Sequence, residues 1–188
     1  MKNKVNFGTS GIRGLVSDMT DKVCYVYTLS FLQYLQSIDA MPAGCPVGVG
    51  GDLRHSTPRI MNAVAAAVQA AGYHAVNCGL LPTPALSLYG MGQQIPTIMV
   101  TGSHIPDDRN GIKFNKPDGE VLKDDEQGIL AQNPIVNDAL FDAQEGLLQD
   151  TYLPGADETA QQEYVARYLD FFPANALAGL HLGVYQHS

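Results

Sequence analysis

"CPVGVGGDLRHSTPRIMNAVAAAVQAAGYHAVNCG", residues 45–79, decides the fold. Its opening "CPVGVGGD" is a short apolar run that reads as a buried strand ending near Gly51. Thr57 suits a helix cap with Pro58 at the first helical position, and Ile60, Val64, Val68 and Ala71 recur at three- and four-residue steps until Gly72 closes the pattern. "YHAVNCG" is a second strand. Strands joined through a helix by short connections make a sheet with helices packed on its faces.

Outward from this unit the rhythm continues. Towards the N-terminus a helix is predicted from Thr20, with Asp21 in its first turn and Cys24, Tyr27, Phe31, Tyr34, Leu35 and Ile38 on its apolar side. Towards the C-terminus Thr83 caps and Pro84 opens a short helix ended by Gly90, and "PTIMV" at 96–100 is a strand. "GIKFNKPDGEVL" then breaks the alternation. With a turn at Pro117-Asp118-Gly119 it reads as a hairpin or an antiparallel edge, so the sheet is mixed. A helix follows from Lys123 to about Gln132, stopped by Pro134. The predicted fold over 1–150 is α/β, a three-layer α/β/α arrangement around a mixed sheet.

Residues 134–156 are weakly patterned and "LPGADE" marks a boundary. Beyond it Tyr164, Val165, Tyr168, Leu169 and Phe172 form a helical apolar stripe, and "GLHLGVYQHS" at 179–188 has the look of a strand. A lone strand cannot pair its backbone. Residues 151–188 are therefore expected to be a linker helix and the first strand of a truncated second domain, whose exposed apolar surface could drive self-association.

Composition narrows the function. The 188 residues carry 11 Lys and Arg against 19 Asp and Glu, a net charge of −8, which excludes a phosphate-backbone binder of nucleic acid. No segment reaches the roughly 20 apolar residues of a membrane span, and the N-terminus lacks the layout of a secretory signal, so a cytoplasmic location is expected. Cys24, Cys45 and Cys78 are too few and too far apart for a disulfide framework or a zinc site and are expected to be free buried thiols. Yet Arg13, Arg54, Arg59, Arg109, Lys113 and Lys116 all lie in or beside Gly-, Pro- or Ser-rich stretches. An acidic protein that gathers its cations in loops points to a small anionic ligand.

Ligands of open α/β sheets collect outside the carboxyl ends of the strands. Three segments have that position: "GGDLRHSTP" at 50–58, "GLLPTP" at 79–84 and "TGSHIPDDRNG" at 101–111. Ser103 in the last is the candidate nucleophile. It is not that of an α/β-hydrolase, whose elbow needs glycine two residues on either side, where this chain has Thr101 and Ile105. His104, adjacent on the backbone, is poorly placed as a triad base. Phosphate handling suits it better, because Gly102 frees backbone N–H groups and His104, Arg109 and Lys113 can offset a phosphoryl charge. "FGTSGIRG" at 7–14 adds a glycine-rich turn presenting Thr9, Ser10 and the always-charged fork of Arg13. Neither a Walker loop nor a complete dinucleotide fingerprint occurs.

"FGTSGIRG", "GGDLRHS", "LPTPAL", "TGSHIP" and "NGIKF" together resemble, in order and spacing, the first domain of the α-D-phosphohexomutases, the phosphomannomutase and phosphoglucomutase group. The resemblance implies that Ser103 is a phosphoserine that donates its phosphoryl group to one end of a hexose phosphate and recovers the other phosphate from the resulting bisphosphate. It implies an isomerase acting by intramolecular phosphotransfer on a hexose 1-phosphate or 6-phosphate, with Mg²⁺ held in part through the Ser103 phosphate. Arg13, His104 and Lys113 match positions that contact the transferring phosphate or move the sugar proton, with Lys113 favoured for the proton; Thr9, Ser10 and Arg109 would join in phosphate binding. Gly102 and Ile105 stand where the family's loop carries alanine and asparagine, and Gly51 where arginine precedes Asp52. The Asp-rich metal loop, the sugar-selecting loop and the distal phosphate clamp of the family are not found in these 188 residues, so the chain alone is expected to be inactive or nearly so. The alternative is a non-catalytic module that holds a phosphate or a partner protein on the same fold.

Overall fold

The computed structural model describes residues 5–8, 10–151 and 153–185. The elements in chain order are β1 (Asn6–Phe7), β2 (Gly11–Leu15), α1 (Asp21–Ser37), β3 (Pro46–Gly51), α2 (Thr57–Ala70), β4 (His74–Leu80), α3 (Thr83–Gln93), β5 (Thr97–Val100), β6 (Arg109–Lys116), β7 (Gly119–Glu120), α4 (Lys123–Leu130) and α5 (Thr159–Phe171). The seven strands form one sheet in the order β1-β2-β6-β5-β3-β4, with β7 on β6. β3 is parallel to β4 and β5, and the other pairs are antiparallel. The mixed α/β/α architecture is as the sequence predicts. No helix among the described residues is long and apolar enough to cross a membrane.

The period-2 alternation of the strands sorts side chains into two cores. Val47, Val49, Ile98, Val100, Ile112 and Phe114 face α1 and α2, where Phe31 stacks on Phe114 with ring centroids 4.6 Å apart. Met99 and Cys78 face the other way and pack with Leu86 and Tyr89 of α3 and Ala160 of α5. Burial pushes the Cys24 and Cys78 thiols up to about 12, so both are inert packing residues; Cys45 is only half-buried.

Several local expectations are corrected. The caps assigned to Thr57 and Thr83 are instead the first residues of α2 and α3, whose N-caps are Ser56 and Pro82 without a side-chain cap bond. The Thr57 hydroxyl is engaged elsewhere, donating to Asp52 Oδ1 at 2.6 Å. Gly90 does not end α3. It packs inside the helix against Thr97, and the stop comes at Gln94, whose φ of 55° is left-handed. β6 makes the predicted hairpin with β7 but lies inside the sheet, between β2 and β5, rather than at an edge. The reason is the 7–14 stretch, read as a loop: β1 and β2 form a hairpin that pairs along β6 from Gly11↔Lys113 to Leu15↔Arg109. The described residues 179–185 are exposed and form no strand, the Leu180 N–H turning back onto Leu177 O at 3.1 Å; the last three residues of the predicted strand and Thr9 lie outside the described residues.

Gly11 of β2 faces β6 with no room for a side chain. A Cβ there would stand 2.0 Å from the Ile112 carbonyl oxygen, with φ at +158°. Gly11→Ala is expected to push the β1–β2 hairpin off the sheet and cost about 3 kcal/mol, read as a lower urea midpoint.

Candidate functional site

The carboxyl ends of the parallel strands converge on one aspartate. Asp52, just past β3, accepts on Oδ1 from Thr57 Oγ1 and Arg54 N (2.6 and 3.1 Å) and on Oδ2 from Thr101 Oγ1 and Gly102 N (2.9 and 3.1 Å). Arg54 Nε lies 3.3 Å from the same Oδ2, an ion-pair distance without hydrogen-bond alignment. Burial alone would raise the Asp52 pKa. The bonds from Thr57, Arg54, Thr101 and Gly102 outweigh it and hold the carboxyl below its ordinary 3.8.

Arg54 closes the loop from within. The side chain is buried, and its guanidinium donates to four backbone carbonyls of the serine loop: Nη2 to Ser103 O at 3.1 Å and Ile105 O at 2.6 Å, Nη1 to Pro106 O at 2.9 Å and Arg109 O at 3.2 Å. Nη1 also meets Asp107 Oδ1 at 3.2 Å. The planar fork lies flat on Gly102, where an added Cβ would stand 2.4 Å from Cζ and Nε. A side chain at position 102 would therefore displace this guanidinium. The ion pair that an arginine before Asp52 would make is supplied here from two residues further on.

Ser103 crowns this structure. It is exposed, with a left-handed φ of 53° that costs a non-glycine residue about 1 kcal/mol, and its N–H bonds Thr101 Oγ1 at 2.8 Å. Its Oγ lies 3.2 Å from His104 Nδ1. Ser103 also opens onto a cleft of about 1070 Å³ that is lined as well by Ser10, Arg13, Arg109 and Lys113. The β2–β6 register brings these cations together: Arg13 sits opposite Gly111, Leu15 opposite Arg109, and Lys113 opposite both Gly11 and Met99. Of the residues singled out from sequence, His104 touches the serine but does not line the cleft, and Lys113 is ion-paired with Glu120 rather than crowded by cations.

Sequence reading missed the far wall. Tyr164, Arg167 and Tyr168 of α5 also line the cleft, the two tyrosine hydroxyls 3.1 Å apart. Their spacing of three and four residues was visible, but as an apolar stripe. Arg13, Arg109, Lys113 and Arg167 against Glu120 give this cleft a positive balance in a protein of net charge −8, a field that concentrates anions. Among the described residues no three His, Cys, Asp or Glu side chains converge where a metal ion could sit. Apart from a phosphate on Ser103, the site offers Mg²⁺ no assembled oxygen shell, and no chemical step here runs through it.

Comparison with known proteins gives the same picture from another side. Residues 4–134 match the profile of "Phosphoglucomutase/phosphomannomutase, alpha/beta/alpha domain I". The chain is 43% identical over 187 residues to a phosphomannomutase of Salmonella muenchen, covering all of this chain and 36% of that protein, and 42% identical over 184 residues to one of Sinorhizobium fredii, covering 97% and 38%. A phosphoglucosamine mutase of Dictyoglomus turgidum is 31% identical over 73% of the chain. The chain thus spans between 30% and 38% of the length of these relatives. A solved phosphoglucomutase/phosphomannomutase family protein from Burkholderia thailandensis superposes with a TM-score of 0.57 at 28% identity, covering 66% of this chain and 28% of that one. A Thermus thermophilus structure superposes at 0.68 over 91% of this chain and 37% of its own, which at 24% identity speaks for the fold alone. On the profile match, the ordered motifs and the fold, this chain belongs to the phosphoglucomutase/phosphomannomutase family and carries its α/β/α domain I.

Proposed function

We propose that this chain supplies the phosphoserine of a cytoplasmic hexose-phosphate mutase, with mannose or glucose phosphates as substrates. The observation that carries the reading is the exposed Ser103 hydroxyl on the wall of a cleft whose lining cations outnumber its acids. Phosphoryl transfer asks chiefly for positioning and charge neutralisation. In the proposed step a sugar hydroxyl oxygen bonds to phosphorus as the bond from phosphorus to Ser103 Oγ breaks. The serine oxygen takes a proton, balancing the one the sugar gives up. The bisphosphate then turns and returns its other phosphate to Ser103 by the reverse step.

The roles follow from placement. Arg13, Arg109 and Lys113 offset phosphate charge, with Ser10 lining the same cleft; Thr9, its neighbour in sequence, is proposed to join them. Lys113, ion-paired with Glu120, serves charge neutralisation. Proton transfer goes to His104, whose ring nitrogen already meets the serine oxygen. When bound, Mg²⁺ would add charge neutralisation at the phosphate on Ser103, with its other oxygens coming from outside these residues.

The test is intact-mass spectrometry of the chain after incubation with glucose 1,6-bisphosphate or mannose 1,6-bisphosphate. Addition of one phosphoryl group, located at Ser103 by fragmentation, is expected. No uptake from either donor would replace the enzyme reading with that of a phosphate- or partner-binding module.

The partner we propose at the other end of the chain is a second copy. Leu169, Phe171, Leu182 and Val184 are all exposed. Such a patch favours association. Sedimentation is expected to show a concentration-dependent dimer that Leu169→Glu with Phe171→Glu weakens at least tenfold.

A further inference from the structure

Arg54 has no place in the phosphate cleft, yet it is the most heavily engaged side chain near Ser103. Its donors are spent inward, on the carbonyls of Ser103, Ile105, Pro106 and Arg109. Every peptide in the described loop is trans and planar, so the N–H of each following residue points opposite to the carbonyl before it. Drawing the Ser103 carbonyl down onto Arg54 therefore turns the His104 N–H outward, and drawing in the Pro106 carbonyl does the same for Asp107. Pro106 itself has no N–H, and the Asn110 peptide is taken up by the sheet. Of the N–H groups about the left-handed Ser103, those of Gly102 and Ser103 are spent on Asp52 Oδ2 and Thr101 Oγ1, which leaves the His104 N–H, with that of Asp107, to meet an anion.

We propose that Arg54 is a positioning residue: by gathering the loop carbonyls beneath Ser103 it aims the His104 and Asp107 N–H groups at the phosphate carried there. The inference rests on the phosphoserine reading and adds a donor set that no side chain in the cleft supplies. Lysine cannot replace this arginine, because one ammonium lacks the planar fork that reaches four carbonyls at once. Asp52 anchors the guanidinium, and Gly102 leaves room for it.

The experiment uses ¹⁵N-labelled chain, wild type and Arg54→Lys, with and without glucose 1,6-bisphosphate. In the wild type, phosphorylation is expected to move the His104 and Asp107 amide protons downfield more than any amide outside residues 101–111. In Arg54→Lys that signature should disappear, and the Gly102, Ser103 and Ile105 amides should exchange with solvent at least tenfold faster while those of β3 and β4 keep their protection. Gly102→Ala, which crowds the guanidinium without removing it, should give the same pair of changes in milder form. Should Ser103 take no phosphate at all, the functional reading fails; the exchange measurement still decides whether Arg54 holds the loop. A folded Arg54→Lys chain with unchanged exchange, or with both downfield shifts intact, would overturn the proposal, because a role confined to stability does not steer two particular amides.

Discussion

Asp52→Asn is expected to destabilise the chain by about 3 kcal/mol and to loosen the serine loop. The carboxylate receives four hydrogen bonds and faces the Arg54 guanidinium. An amide has the same shape but one acceptor fewer. Whichever way it is turned, its NH₂ meets either Thr57 Oγ1 and Arg54 N or Thr101 Oγ1 and Gly102 N, and in each pair the backbone N–H has no acceptor left. The substitution also leaves the buried guanidinium with only the exposed Asp107 carboxylate as counter-charge, and breaking a buried pair from one side costs about 3–5 kcal/mol. For a domain of this size that is a fall in Tm of about 6–12 °C. The pH dependence follows in sign. Because the folded Asp52 pKa lies below its ordinary value, its contribution is complete above that value and is lost as pH falls through the folded one. Asp125, also lowered, adds a second contribution over the same range: burial opposes the shift, but bonds from Tyr34, Leu122 N and Lys116 outweigh it. Asp52→Asn should thus flatten the acid limb of a stability-against-pH curve without abolishing it. An unchanged urea midpoint at pH 7 would remove Asp52 from the centre of this site.

What the sequence showed clearly was periodic. The β3–α2–β4 unit, α1 and the apolar faces follow from spacings of two or of three to four residues, and those spacings are a direct projection of which side meets the core. Glycine hid β2. A segment with Gly8, Gly11 and Gly14 has too few side chains to show a strand period, and its pairing is dictated by β6, a hundred residues away. The threonines at 57 and 83 misled for another reason. A capping residue is recognised by composition, but whether its hydroxyl caps depends on who else competes for it, and Asp52 does so at Thr57.

The site divides along the same line. Ser103, Arg13, Arg109 and Lys113 stood out because reactive and charged groups in loops are legible one residue at a time. Arg54 did not. It was noted only as a cation, since nothing in "GDLRHS" says that this arginine folds inward to hold backbone carbonyls rather than outward to hold a ligand. Arg167 gives no signal of its own, since it lies within a helical apolar stripe and not in a loop, whereas the packing of α5 beside α3 brings it to the cleft. In both cases the missing information was tertiary: which face of the chain a charge ends on.

Ser103→Ala is expected to abolish phosphoryl uptake altogether, a loss of at least ~10³ in rate that no neighbouring hydroxyl should rescue. The change is unusually clean. The loop is held by the backbone of residue 103, its N–H on Thr101 and its carbonyl on Arg54, and alanine keeps both. Alanine and serine also bear the same left-handed backbone at similar cost, so stability should stay within about 0.5 kcal/mol. Arg13, Arg109 and Lys113 remain in the cleft, and inorganic phosphate titrated calorimetrically should bind the variant nearly as well as the wild type. Binding without transfer would separate the cations' role from the nucleophile's. His104→Ala should slow transfer without abolishing it, since it removes a proton partner and leaves the oxygen that forms the bond. The competing carrier is Ser10, which lines the same cleft but is 8% exposed, with its carbonyl tied to Phe114 N. If Ser103→Ala still gained one phosphoryl group and fragmentation placed it on Ser10, the hairpin rather than the 101–111 loop would be the donor, and the roles of the cleft cations would have to be rebuilt around it.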